Sequence, residues 1–233
     1  MAVFAISDLH LALSVDKPMD IFGNRWAGYM QRIKDMWDMK ISEDDYVIIP
    51  GDISWATYLE QAFEDFTFIE GLKGKKIISK GNHDYWWTTI SKLNKFLKDN
   101  NFLSISFMQN NSFKVEDCIL CGTRGWKLPG DEDFDSEDKK IYLRELQRLE
   151  LSLKSSPKEP GNRLIAAMHY PPFNSKGEPS QFVELMQSYN VDICIYGHLH
   201  GEGFKNAVTG IINNIDFRLV SADYLFFEPV RLA

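Results

Sequence analysis

KIISKGNHD, residues 76–84, carries a β-rich apolar segment, Lys76 to Ser79, directly into Gly81, Asn82, His83 and Asp84. Four other segments end in the same manner. VFAIS at 3–7 is followed by Asp8, Leu9 and His10, and YVIIP at 46–50 by Gly51 and Asp52. LIAAM at 164–168 is followed by His169, and DICIY at 192–196 by Gly197, His198, Leu199 and His200. Between these segments apolar residues recur at helical spacing: Trp26, Met30, Ile33 and Trp37; Leu59, Phe63 and Phe66; Ile90, Leu93 and Leu97. Short strands alternating with amphipathic helices predict an α/β layered fold with a substantial parallel component. In open sheets of that class the functional crevice lies beyond the carboxyl ends of the strands, so polar groups placed there from separate strands can meet.

The chain has five histidines, and all five (His10, His83, His169, His198 and His200) fall in these strand-end clusters. Structural histidines would scatter. Imidazole together with carboxylate is a donor set that borderline divalent cations favour, so the clusters read as parts of one metal site. Residues two apart in extended backbone project to one side, which predicts that Asp8 and His10 reach the site together, and likewise His198 and His200. Gly51, Gly81 and Gly197 each precede a candidate ligand, where a missing side chain permits a tight turn or close backbone approach. GNHD by itself would arise by chance in roughly one chain in a thousand of this length. DLH or GHLH alone would mean little; the order and placement of the whole set carry the signal.

The remainder of the chain narrows the class. Its 233 residues, 44% hydrophobic and 25% charged, suit one sizeable core, and a single domain over 1–233 is the simplest reading. No apolar run approaches the roughly 18 residues of a membrane span, and the apolar start MAVFAI stops at Asp8 without a basic flank, so the protein is expected to be cytoplasmic with no membrane partner. With 26 basic against 33 acidic residues the formal charge of -7 disfavours a nucleic-acid partner, and Lys73, Lys75 and Lys76 read as a solvated run before a strand. Three cysteines cannot build a disulfide framework. Cys118 and Cys121 would point to opposite faces if CILCG is a strand, so they read as small apolar residues. A helix is expected over about 136–153 with Ile141, Leu146, Leu149 and Leu153 inward. Strand-like pieces are expected over 102–126, then a loop, SSPKEPGN, at 155–162. Two or three antiparallel strands should follow in 207–230, with a turn at Asn213 and Asn214.

DLH at 8–10, GD at 51–52, GNHD at 81–84, His169 and GHLH at 197–200 resemble the five ordered blocks of the calcineurin-like metallophosphoesterases. The resemblance implies two packed mixed β-sheets flanked by helices, a four-layer sandwich. It also implies one divalent ion on Asp8, His10, Asp52 and His200 and a second on Asp52, Asn82, His169 and His198, with Asp52 bridging. Manganese, iron and zinc all suit mixed nitrogen and oxygen ligands, and the resemblance favours manganese. Two departures stand out. Lys80 and Asp84 flank GNH where the family's protein phosphatases carry Arg and Glu, which disfavours a phosphoprotein substrate. GDISWA lacks the acid common downstream of GD, Trp55 or Ala56 standing there instead.

The expected activity is hydrolysis of a phosphate ester by a hydroxide shared between two ions roughly 3.5 to 4 Å apart. A small, nucleotide-like phosphodiester is the first choice of substrate, and a phosphomonoester or nucleotide pyrophosphate the alternative. His83, outside the implied ligand set, is assigned to protonating the leaving oxygen or stabilising its charge, with Asp84 either orienting His83 or capping a helix. Arg25 and Arg124 are candidate phosphate clamps, and Trp86, with Trp55, Trp87 and Tyr170, is a candidate for the rim of the mouth. Two other classes fit less well. In metallo-β-lactamase-like hydrolases the HxH pair is followed by Asp and His, but here Gly201 and Glu202 follow His200. A non-catalytic binding module on this scaffold would normally lack a ligand, and none is missing.

Overall fold

A computed structural model describes residues 1–155 and 158–233; Ser156 and Pro157, within the loop expected at 155–162, lie outside the described residues. In chain order the strands are β1 (Val3–Ala5), β2 (Tyr46–Pro50), β3 (Lys75–Ser79), β4 (Ile105–Phe107), β5 (Phe113–Val115), β6 (Cys118–Thr123), β7 (Arg163–Met168), β8 (Ile193–Tyr196), β9 (Gly210–Ile212), β10 (Ile215–Leu219) and β11 (Val230–Arg231). The helices are α1 (Tyr29–Lys40), α2 (Phe63–Glu70), α3 (Ile90–Asp99), α4 (Ser136–Lys154) and α5 (Gln181–Ser188). One sheet has the order β11-β1-β2-β3-β4 and the other β5-β6-β7-β8-β10-β9. Both are parallel through their centres, with antiparallel β11, β5 and β9 at edges.

Side-chain alternation builds the layers. Val3, Ala5, Ile48, Ile77, Leu120, Ile165, Ala167 and Ile195 meet between the two sheets. Their neighbours Phe4, Val47, Ile49 and Ile78 turn outward to Ile33, Trp37, Phe66, Leu93 and Leu97 of α1 to α3. On the other flank Ile119, Leu164, Ala166 and Cys194 meet Tyr142, Leu149 and Leu153 of α4 and Phe182, Val183 and Met186 of α5. The result is the expected four-layer sandwich. Cys118 and Cys121 fall in different layers, as strand geometry requires. Among the described residues no helix is long and apolar enough to cross a membrane.

Three expectations change. The inward stripe of α4 is Tyr142, Glu145, Leu149, Ser152 and Leu153, with Ile141 and Leu146 only partly covered; hydropathy misses Glu145 and Ser152 because each is buried through hydrogen bonds, Ser152 Oγ donating to Asn111 O at 2.6 Å. β9 and β10 form the hairpin expected around Asn213 and Asn214, both at positive φ, yet β10 joins β8 in parallel. Lys76 is not solvated. It points into the α2 layer, fully buried, where Nζ donates to Leu72 O at 2.6 Å and Gly74 O at 2.9 Å, carbonyls left open after α2 ends.

Burial pushes the Lys76 ammonium down to about 8 from 10.5. Between those values the unfolded chain keeps a proton that the folded chain has released, so stability contributed by this residue rises with pH. Relative to Lys76→Met, the wild-type unfolding free energy should climb from pH 8 to 10.5, by at most about 3 kcal/mol. Urea titrations of both proteins across the window check this; parallel curves would show that Lys76 is not desolvated.

Candidate metal centre

Backbone hydrogen bonds stitch the loop after β1 to that after β2, and the loop after β7 to that after β8. Asp8 N donates to Gly51 O at 3.0 Å, His10 N to Asp52 O at 3.0 Å, and Gly197 N to His169 O at 3.1 Å. The extended DLH and HLH geometry expected from spacing is not what brings these residues together. Asp8, His10, Asp52 and His198 have φ of 58°, 46°, 53° and 71°, so the chain turns sharply at each ligand instead of running on as strand. Asp and His tolerate this left-handed region better than most residues, though it still strains the backbone. The glycines act as expected. A Cβ on Gly51, itself at φ +90°, would stand 2.6 Å from Gly81 Cα and 2.7 Å from His169 Nδ1. On Gly81 it would strike the Asp52 carboxylate, and on Gly197 the Asp8 carboxylate and the Ser7 hydroxyl.

The seven side chains implied as ligands converge. Ligand atoms of Asp8, His10 and His200 lie within 4.8 Å of one another, as do those of Asp8, Asp52 and His169. His10 Nε2 is 3.3 Å from His200 Nε2, which is 3.3 Å from Asp8 Oδ1. Asp52 Oδ2 lies between the two groups, 3.8 Å from His10 Nε2 and 3.5 Å from His169 Nε2. Asn82 Oδ1 stands 2.6 Å from His169 Nε2 and 2.9 Å from His198 Nδ1.

Protonation tests whether cations fit here. His169 Nδ1 lies 3.1 Å from Pro50 O, an atom that can only accept, so Nδ1 carries the proton and Nε2 presents a lone pair to Asn82 Oδ1. Two acceptors face each other, an arrangement that a shared cation relieves. Burial holds His10 and His169 below the usual imidazole range and pushes His198 down to about 3. Such rings are neutral at pH 7 and free to ligate. Burial raises Asp52 to about 8, reinforced by the Asp8 charge. Burial alone would also raise Asp8, but the hydrogen bond and charge of His200 hold it low. His200 is raised to about 10 by Asp223 and Asp8 against its burial. Clustered carboxylates and unprotonated imidazoles short of positive charge fit a divalent cation on either side of Asp52.

The other candidates separate. His83 is half-buried, its ring 4.4 Å from that of Trp55 and 5.8 Å from that of His10, and its Nδ1 finds no hydrogen-bond partner among the described residues. Burial lowers its pKa. Asp84 neither touches that ring nor caps a helix. Its buried carboxylate accepts from the backbone N–H groups of Asp52 (2.9 Å), Ile53 (2.8 Å) and Gly81 (2.7 Å) and from Trp86 Nε1 (3.1 Å), clamping the loop after β2 to the loop after β3. That clamp, with Ser54 Oγ donating to buried Asp65, furnishes the surroundings left open by the absent downstream acid. Trp86 belongs to the core, 2% exposed and edge-on to Phe66, so it cannot stack on a ligand. Arg124 pairs with Glu145 and lines a different cavity. Arg25 does lie at the mouth, its Nη1 donating to Asp223 O at 3.1 Å.

Sequence reasoning missed Asp223. Its Oδ1 is 2.8 Å from His200 Nδ1 and fixes which ring nitrogen faces Asp8. The signal was present: Asp223 follows a strand, IDFRLV, much as Asp8 and Asp52 follow theirs. Replacing Asp223→Asn should weaken binding at the His200 side of the centre by roughly 10- to 100-fold and leave the other side little changed. Calorimetric titration with Mn2+ reads this directly, and two unaltered binding steps would rule out the orienting role.

Two solved structures share the fold: the protein of unknown function AQ665 from Aquifex aeolicus has TM-score 0.52 and 15% identity, covering 99% of this chain and 95% of that one. TT1561 of Thermus thermophilus has TM-score 0.52 and 11% identity, covering 85% of this chain and 81% of that one. No functionally curated protein matches the chain. The family model for calcineurin-like phosphoesterases matches residues 1–202, a span that holds all five strand-end loops, and the chain belongs to that family.

Proposed function

We propose that the centre hydrolyses a small phosphodiester with a flat, nucleotide-like arm, using two divalent cations, manganese first among those the ligands suit. Asp8, His10, Asp52 and His200 would hold one cation, and Asp52, Asn82, His169 and His198 the other. When bound, such a pair neutralises phosphoryl charge and makes solvent acidic enough to attack phosphorus. The chain's own groups then define what is attacked.

One observation carries the substrate class: a cavity of about 580 Å3 opens on His10, His83 and His200 and is walled by Phe22, Trp26, Trp55 and Phe204. That volume is in the range of small-molecule sites, and its aromatic walls suit a base or ring beside the scissile group. Trp55 stacks on His10 with ring centroids 5.0 Å apart, so a planar arm held there stays close to the centre. Arg25 is the one Arg or Lys side chain of the lining, which also carries Glu202 and Asp223. A singly charged diester suits that balance better than a doubly charged monoester. His83 borders the cavity, and from its ring it would donate a hydrogen bond to the leaving oxygen.

Metal-reconstituted protein offered aryl monoesters, aryl diesters and a nucleotide panel that includes cyclic nucleotides should cleave diesters fastest. His83→Ala should retain two metal ions per chain while kcat falls by roughly 100-fold. Absence of any metal-dependent ester hydrolysis overturns the enzymatic reading, and loss of both ions in His83→Ala overturns the role given to that residue.

A further inference from the structure

Beside the metal centre, the ends of β3 and β6 enclose a second cavity of about 230 Å3 whose lining shares none of the seven converging side chains. Its polar wall contains Ser79, Lys80, Thr123, Arg124, Glu145 and Arg148. Glu145, its side chain 1% exposed, is fully engaged: it accepts from Arg148 Nη1 at 2.6 Å, Arg124 Nη2 at 3.4 Å and Thr123 Oγ1 at 2.7 Å. Lys80 forms no ion pair among the described residues. Three cations against one carboxylate leave this cavity at net +2, inside a chain whose formal charge is -7. Concentrating excess positive charge in a concave, partly desolvated place is unfavourable unless an anion completes it, and such a cavity draws anions in.

Two orphaned atoms point the same way. Ser79 is 2% exposed, and among the described residues neither its hydroxyl nor the buried Nε of Arg124 has a hydrogen-bond partner. Buried donors are rarely left unmade. Both residues belong to the lining of the cavity, so an acceptor seated deep against them would complete these donors. The volume is below the roughly 300 Å3 at which sites for larger organic ligands begin, and donors arriving from several directions suit a tetrahedral oxyanion better than a planar carboxylate. We infer that this cavity binds a phosphate group, either the free ion or the phosphoryl end of a monoester, through Lys80, Arg124, Arg148 and the Ser79 hydroxyl. It adjoins the metal centre without being part of it: Lys80 directly precedes Gly81 and Asn82, and Arg124 O accepts from His169 N at 3.1 Å.

Equilibrium dialysis of the full chain with inorganic phosphate tests this. Metal-loaded wild type should bind one more phosphate per chain than Lys80→Gln/Arg148→Gln. With the metals chelated, wild type should still bind one and the double variant none. The chelated arm holds whether or not the metal centre is a phosphoesterase, so the two readings fail separately. Ser79→Ala, a milder change, should weaken this phosphate by roughly ten-fold with the melting temperature unchanged. Equal displacement by glycerol phosphate would identify the phosphoryl end of a larger ligand, and displacement by inorganic phosphate alone the free ion. Equal phosphate binding by wild type and folded double variant, or an unaltered affinity in Ser79→Ala, overturns the site.

Discussion

Asp8, Asp52, Asp84 and Asp223 are each at most 1% exposed, Asp8 and Asp52 within the centre and Asp84 and Asp223 holding its loops and His200 in place. Desolvating a single carboxylate is costly, and gathering four multiplies the cost by mutual repulsion. The chain answers part of that charge itself. Asp84 is answered by backbone N–H groups, Asp223 and one side of Asp8 by His200, and Asp8 again by the N–H of His198 at 3.1 Å. Asp52 receives the N–H of His83 at 2.8 Å and is still pushed up to about 8 by burial and by Asp8. The remaining imidazoles are held neutral by burial, so they cannot supply the missing positive charge. The centre is therefore built with a deficit that bound cations fill, and the surrounding structure exists to keep that deficit from relaxing.

Two devices prevent relaxation. The first is backbone strain. Four of the seven converging residues sit at positive φ, a state that persists only where neighbours over-determine it. The second is close approach of backbone to backbone, which Gly51 and Gly81 permit and which the Asp84 carboxylate locks by binding both loops at once. Asp84 thus acts through position: it sets where Asp52 and Asn82 meet without touching either imidazole that flanks them. The alternation that fills the space between the sheets with Ile48, Ile77, Ile165 and Ile195 holds the strand ends in register beneath these loops. A ligand cage of this kind tolerates strain because it rests on two sheets instead of on loops alone.

Much of this was legible in the sequence for a simple reason. Alternating apolar runs fix strands, and strand ends fix where a crevice can lie, so ligand order and fold came from the same pattern. What escaped notice shares a different cause. Glu145, Ser152, Lys76 and Asp65 are polar residues buried through specific hydrogen bonds, and hydropathy scores them as surface. Trp86 is close in sequence to Asn82 but packs edge-on to Phe66 in the core, and Arg124, directly after β6, turns to Glu145; the sequence pattern does not fix on which side a residue beyond a strand end projects. Asp223 was passed over because β10 was expected to lie antiparallel; its parallel pairing with β8 is what brings its C-terminal end to the site beside those of β7 and β8.

The mouth obeys weaker rules than the cage. Its walls come from short 3-10 turns at Met19–Phe22, Asn24–Trp26 and Gly201–Asn206, none of which has the periodicity that reveals a longer element. Ile21, Phe22 and Phe226 are 70%, 57% and 66% exposed in these or adjoining segments, an amount of bare apolar surface that marks a binding face more often than an idle one. The segment following His10 is nonetheless anchored. Leu13 N donates to Asp65 Oδ1 at 2.9 Å, and the same carboxylate receives Ser54 Oγ from the loop that carries Asp52. The Asp65 carboxylate therefore ties the segment that leads to the rim to the loop that carries Asp52. Burial and backbone strain constrain the residues of the centre, whereas Ile21, Phe22 and Phe226 at the rim carry no such constraint.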